Sequence, residues 1–155
     1  LPAPYKGAVL TQQIEILDDA VRWILDYEAN GCQLPAWLGF HPWFPRNLAR
    51  GSEAEIEFNP MRMMERIDGL PTGKLISPTP PPWDDCFTEV KGAPSIKWEG
   101  AVNLEIDSDS PYWVVYTEDS EGICIEPQTA PPDAANLGIS GDHYVEALFT
   151  FSEGE

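Results

Sequence analysis

The sequence has little positive charge and no long hydrophobic run. Of its 155 residues, 9 are Lys or Arg and 26 are Asp or Glu, so the net charge is −17 at pH 7. Nucleic-acid backbones and anionic membrane surfaces repel a chain of this charge, and we expect neither as a partner. No apolar run reaches the roughly 18–20 residues that span a bilayer, so the sequence predicts no membrane-spanning helix.

Cysteine is also scarce. Cys32, Cys86 and Cys124 are odd in number and widely spaced, unlike the cysteines of a disulfide framework or a zinc site. Residues 1–5 lack the basic region and the apolar region of a signal peptide. Together these features predict a reducing, cytoplasmic setting.

The motifs of several common enzyme classes are missing. The sequence has no glycine-rich phosphate loop and no Gly-x-Ser-x-Gly elbow, which argues against nucleotide chemistry and serine hydrolysis. The acidic segments 107–109 and 118–121 could hold Ca²⁺, but neither has the EF-hand spacing. We therefore expect no metal ion and no cofactor.

The pattern that dominates the chain is an alternation of apolar and polar residues with a period of two, which is typical of half-buried strands. It covers residues 11–17, 21–27, 53–58, 102–107, 113–117, 122–126 and 145–151. Prolines and glycines, 16 and 12 in number, separate these segments, and Gly69, Pro71 and Gly73 predict a break. Residues 61–67 fit a helix or a strand equally well. The pattern predicts one all-β domain over residues 1–155, an antiparallel β-sandwich or barrel.

Three places in the chain carry side chains that could do chemistry. His41 lies in an aromatic segment, Asp84 at the start of a predicted strand and Glu126 near the end of another. Each has a purely structural alternative: His41 could be a packed core histidine, Asp84 a turn cap, and Glu126 an exposed residue at a strand end. Cys124 and Glu126 share one face of a strand whose other face is isoleucine, and a buried acid there requires a partner. The second histidine, His143, has the surroundings of a solvated loop residue.

Taken in order, these places and their neighbours resemble the motifs of the aldose 1-epimerase (galactose mutarotase) family. The matching residues are Gly39-Phe40-His41-Pro42-Trp43-Phe44, Leu70-Pro71-Thr72-Gly73, Trp83-Asp84-Asp85-Cys86-Phe87, Val115-Tyr116-Thr117, Ile125-Glu126-Pro127-Gln128 and Pro132-Asp133-Ala134-Ala135-Asn136. Each motif is short, and their common order over residues 39–136 is what makes the resemblance specific.

The resemblance implies a β-supersandwich fold and the interconversion of the α and β anomers of a free hexose. By residue match, Glu126 is the general base of that reaction and His41 is the general acid. Asp84 matches an acid that binds sugar hydroxyls, and Gln128, beside the base, is a further candidate contact to the sugar.

The side chains themselves suit this chemistry. Opening a pyranose ring removes a proton from the C1 hydroxyl and adds one to the ring oxygen, and a carboxylate and an imidazolium can do both. Trp43 and Trp83 could stack on a face of the sugar, with core packing as the alternative for each.

The chain departs from the family in length. Family members are considerably longer, and their N-terminal half carries an arginine and a further histidine that bind substrate. The sequence therefore resembles the C-terminal half of such a domain, for which we expect exposed sheet edges and an exposed core face. We expect the missing strands to come from a complementary N-terminal fragment, a second chain or self-association.

Two other functions fit the sequence. A hexose-6-phosphate 1-epimerase of the same superfamily would need a basic phosphate site, for which Arg46 and Arg50 are the candidates. A non-catalytic carbohydrate-binding or regulatory module would keep the fold without turnover.

Overall fold

The computed structural model describes residues 1–154, and most of its regular structure is β-strand. The elements in chain order are β1 Val9–Ile16, β2 Ala20–Glu28, β3 Trp43–Pro45, β4 Glu55–Glu57, β5 Pro60–Ile67, β6 Leu70–Ile76, β7 Asp84–Val90, β8 Ser95–Trp98, β9 Val102–Asp107, β10 Tyr112–Tyr116, β11 Gly122–Gln128, α1 Ala134–Leu137 and β12 Tyr144–Glu153.

The strands form two six-stranded sheets in which every pairing is antiparallel. Sheet A has the order β1-β2-β12-β9-β8-β4, and sheet B has the order β3-β11-β10-β7-β5-β6. Apolar side chains from both sheets fill the space between them, and Phe87, Ile96, Leu104, Ile106 and Ile125 are fully buried there. The predicted all-β antiparallel sandwich is confirmed.

Segments whose secondary structure the alternation did not decide also form strands. Residues 61–67 belong to β5, which pairs with β6 on one side and β7 on the other. The break predicted around Gly69, Pro71 and Gly73 is confirmed at Gly69, which lies in the turn between β5 and β6, and is wrong at Pro71 and Gly73, which lie within β6. This strand is the edge of sheet B, where a proline without an N–H group is tolerated. None of the described residues forms a helix long and apolar enough to cross a membrane.

Strand β1 is the edge of sheet A, and its inward side chains have little cover. The register sets Leu10 opposite Tyr27 and Ile14 opposite Trp23, two residues of the core region. Side chains directly opposite each other point to the same face of a sheet, so this face of β1 is turned toward sheet B. Leu10, Ile14 and Ile16 are nevertheless 41%, 55% and 73% exposed.

Candidate active site

Strand β11 places Cys124, Glu126 and Gln128 on the face of sheet B that is turned away from sheet A. Successive residues of a strand point to opposite faces, and the intervening Ile123 and Ile125 are fully buried in the core. The prediction that Cys124 and Glu126 share a face opposite the isoleucines is confirmed.

The register of sheet B brings residues from four strands into one row on this face. Trp43 of β3 lies opposite Cys124, which lies opposite Tyr116 of β10, which in turn lies opposite Asp84 of β7. Directly opposite residues of antiparallel strands share a face. The row runs beside Glu126, two residues along β11, although its members are far apart in the sequence.

His41 reaches the same face from the loop that precedes β3. The backbone N–H of Phe40 donates to the carbonyl oxygen of Pro127 at 3.1 Å, which fastens this loop to the end of β11. The imidazole Nε2 of His41 lies 3.3 Å from the carboxylate Oε1 of Glu126. The structure therefore brings together the two residues that the sequence predicted as acid and base.

The close approach of this loop to β11 requires glycine at position 39. Gly39 forms a β-bridge with Gln128, and a Cβ atom added to it would lie 2.7 Å from the Cγ of Gln128. With glycine there, the amide Nε2 of Gln128 donates to the Oε2 of Glu126 at 3.1 Å. The carboxylate is thus contacted through both of its oxygens, by His41 and by Gln128.

The two predicted catalytic groups differ sharply in exposure. The side chain of Glu126 is 5% exposed and that of His41 is 63% exposed. Burial raises the pKa of Glu126; the charge of His41 and the hydrogen bond from Gln128 oppose this shift, and the charge of Asp84 adds to it. A carboxylate with a raised pKa is a better match for general base catalysis near neutral pH.

Asp84 is held on the site face by an arginine from a neighbouring strand. The guanidinium Nη1 of Arg66 lies 3.2 Å from the Oδ2 of Asp84, and its Nη2 lies 3.2 Å from the Oδ1 of Asp85. Arg66 was not predicted as a site residue, because it lies in the segment whose pattern fitted a helix or a strand. Only the pairing of β5 with β7 brings it to the two aspartates.

Three rings line the exposed side of the site. The ring centroids of His41 and Trp43 are 5.8 Å apart, and those of Trp43 and Tyr116 are 5.7 Å apart with an edge-to-face angle of 68°. Trp43 is 53% exposed, so it offers a flat apolar surface to a ligand. Tyr116 was not predicted as a site residue. The period of two in β10 indicates which face of the strand it occupies, but only the strand register shows that it lies between Cys124 and Asp84.

Trp83 is not brought to the site, and the expectation that it contributes there is corrected. It precedes Asp84 and therefore points to the other face of sheet B. Its ring packs edge-to-face against Phe58 and Phe87, with centroid distances of 5.9 and 5.4 Å. Its indole Nε1 donates to the carbonyl oxygen of Thr79 at 2.8 Å. Trp83 is a packing residue here.

The basic and histidine residues outside the site have other roles. The guanidinium of Arg46 donates to the carbonyl oxygens of Thr117 and Asp119, so it fastens two loops together and is not free to bind a phosphate. Arg50 is exposed in the loop between β3 and β4. His143 is an exposed loop residue, as predicted, and its ring contacts Tyr27 at a centroid distance of 4.9 Å.

No protein-family model matches this chain, and no curated protein is significantly similar to it in sequence. The resemblance described above therefore rests on its motif residues.

Proposed function

We propose that the protein is an aldose 1-epimerase that interconverts the α and β anomers of a free hexose. The observation that carries this proposal is the contact between the buried carboxylate of Glu126 and the exposed imidazole of His41, at 3.3 Å. A base and an acid of this kind are the two groups that ring opening of a hemiacetal requires.

Glu126 takes the proton of the C1 hydroxyl as the bond between C1 and the ring oxygen breaks. The electron pair of that bond goes to the ring oxygen, which receives a proton from the His41 imidazolium. The open-chain aldehyde then rotates about its C1–C2 bond. Closure reverses both transfers, so Glu126 ends as a carboxylate, His41 ends as an imidazolium, and the hydroxyl lies on either side of C1.

A sugar has to enter between the two catalytic groups, because they are in contact in the structure. Glu126 is fixed in a strand and is buried, whereas His41 lies in a loop and is largely exposed. We therefore assign the movement to His41. In this proposal Asp84 accepts hydrogen bonds from sugar hydroxyls, Gln128 donates one to them, and the exposed ring of Trp43 packs on a sugar face.

Polarimetry tests the proposal. The protein is added to freshly dissolved α-D-glucose or α-D-galactose, and the optical rotation is followed against the spontaneous rate. We expect acceleration by the unchanged protein and a loss of about 10²–10⁴-fold in Glu126→Gln, the usual contribution of one acid–base group. The matched control is Glu105→Gln, which removes an exposed acid from β9 of the other sheet and leaves the rate unchanged.

Two outcomes would contradict the proposal. One is a folded protein that does not accelerate mutarotation of either sugar. The other is an acceleration that survives Glu126→Gln, which would place the chemistry elsewhere. A sugar that binds with no turnover would instead indicate the non-catalytic carbohydrate-binding module.

A further inference from the structure

Three side chains with metal-binding atoms of different kinds meet on the site face of sheet B. They are the imidazole of His41, the thiol of Cys124 and the carboxylate of Glu126, and their ligand atoms all lie within 4.8 Å of one another. The Nδ1 of His41 lies 3.8 Å from the Sγ of Cys124, and its Nε2 lies 3.3 Å from Glu126. The sequence could not indicate this group, because 83 residues separate Cys124 from His41.

The separations suit a small tetrahedral ion after a modest adjustment. Zinc binds nitrogen and oxygen at about 2.0–2.2 Å and sulfur at about 2.3 Å, so its tetrahedral ligands lie about 3.3–3.7 Å apart. An ion is bound by only one ring nitrogen of His41, so the two measured distances belong to alternative ligand sets: Nε2 already lies at this distance from Glu126, and Nδ1 lies 3.8 Å from the Sγ of Cys124. Cys124 and Glu126 are fixed in β11, and the exposed side chain of His41 is free to close the remaining gap.

The donor set favours some metals over others. A thiolate and an imidazole select thiophilic ions such as Zn²⁺, whereas Mg²⁺ and Ca²⁺ prefer sets made of oxygen alone. The charge of Asp84 acts on Glu126 from the neighbouring row, although Arg66 pairs with Asp84 at 3.2 Å, so the argument for a cation rests on the donor atoms. Three protein ligands leave a fourth position open on the exposed side of His41, as in zinc sites that keep a water molecule.

We propose that His41, Cys124 and Glu126 form a binding site for Zn²⁺ or a similar thiophilic divalent cation, and that the bound ion inhibits the protein. On binding, the ion replaces the proton of the Cys124 thiol, which passes to solvent, and water fills the fourth position. The ion then occupies the lone pairs with which Glu126 and His41 exchange protons. The inhibition rests on the proposed mutarotase activity; the metal site does not.

Binding of Co²⁺, a coloured substitute for Zn²⁺, tests the site without reference to activity. The full chain, prepared without a polyhistidine tag, is titrated with Co²⁺, and the absorption that arises from a thiolate–cobalt bond is measured. We expect one ion per chain, displacement by Zn²⁺, and no displacement by Mg²⁺. Cys124→Ser and Cys124→Ala should each remove the thiolate band and weaken Zn²⁺ binding at least tenfold. Cys32→Ser, which changes a half-buried cysteine in the loop between β2 and β3, should do neither.

The outcomes separate the site from the activity. No thiolate band in the unchanged protein, or a band that survives in a Cys124 variant that circular dichroism shows to be folded, overturns the site. Polarimetry with added Zn²⁺ then examines the inhibition: the rate should fall as the site fills and return when EDTA removes the ion. If the site fills with metal and the rate does not change, only the proposed inhibition is overturned. If the chain has no mutarotase activity, the proposed function is contradicted, and the Co²⁺ titration still decides whether the metal site exists.

Discussion

At the scale of single residues, Glu126 is both the proposed base and a cost to stability. Because its pKa is raised, the folded protein holds the proton of Glu126 more tightly than the unfolded chain does. The free energy of unfolding therefore falls as the pH rises from the usual glutamate value through the raised value. Glu126→Gln removes the charge and keeps the shape, so we expect a higher melting temperature than that of the unchanged protein at neutral pH.

The difference in melting temperature should disappear in acid, where Glu126 is protonated in both states. Thermal unfolding of the two proteins between about pH 4 and pH 8 measures it. The exposed acid of β9 supplies the control, because Glu105→Gln should show no such pH dependence. A Glu126→Gln protein that is less stable at neutral pH would mean that its pairing with His41 outweighs its burial.

Within the site, the sequence predicted that Cys124 and Glu126 share a strand face, but not how the strands lie side by side. The alternation around Glu126 was sufficient to place it with Cys124, away from the isoleucines. Its contact with His41 depends on a loop that returns along the end of β11, and no local pattern encodes that. For the same reason Tyr116 was not predicted. Trp83 was expected at the site for its aromatic ring, but its position next to Asp84 turns it to the other face of sheet B.

At the scale of elements, the strands with a clear period of two were predicted, including the edge strands β1 and β4 of sheet A, whereas the edge strands β3 and β6 of sheet B were not. Strand β3 has three residues, too few to show an alternation, and β6 contains the proline and glycine that usually end a strand. Both strands lie at the edges of sheet B, where one side of the backbone needs no partner. Edge positions tolerate sequences that a central strand excludes, so β6 can form without the alternation that predicted β1 and β4.

The pairing of β3 with β11 positions Trp43 and provides a prediction at this scale. A Cβ atom at Gly122 would lie 2.6 Å from the indole ring of Trp43, so Gly122→Ala must displace that ring. The ring is half exposed and can move without unfolding the protein. An aromatic contact is worth about 0.5–1.5 kcal/mol, so we expect KM to rise by roughly 2- to 12-fold with little change in kcat.

Steady-state polarimetry of Gly122→Ala measures this change, and a double-mutant cycle isolates its cause. In a Trp43→Ala protein, the same Gly122→Ala substitution should have no further effect on KM, because the ring that it displaces is gone. A full effect of Gly122→Ala in that background would show that it acts through the backbone of β11 and not through Trp43.

At the scale of the whole molecule, the two sheets do not cover each other completely. The inward side chains of β1 belong to the same face as the core residues of β2, yet Ile14 and Ile16 are 55% and 73% exposed. An edge strand with an apolar, uncovered face is a site for pairing with another strand. A second copy of the chain could bury this exposed apolar face of β1 by self-association.

We therefore expect the chain to associate through β1, and more strongly at high salt, because screening reduces the repulsion between molecules of net charge −17. Sedimentation or gel filtration over a range of concentrations should give a mass that rises with concentration. The double variant Ile14→Glu, Ile16→Glu should remain monomeric. Thr11→Glu, Gln13→Glu adds the same charge to the opposite, outward face of β1 and should associate like the unchanged chain. If both double variants behave alike, the uncovered apolar face of β1 is not the surface through which the molecules associate.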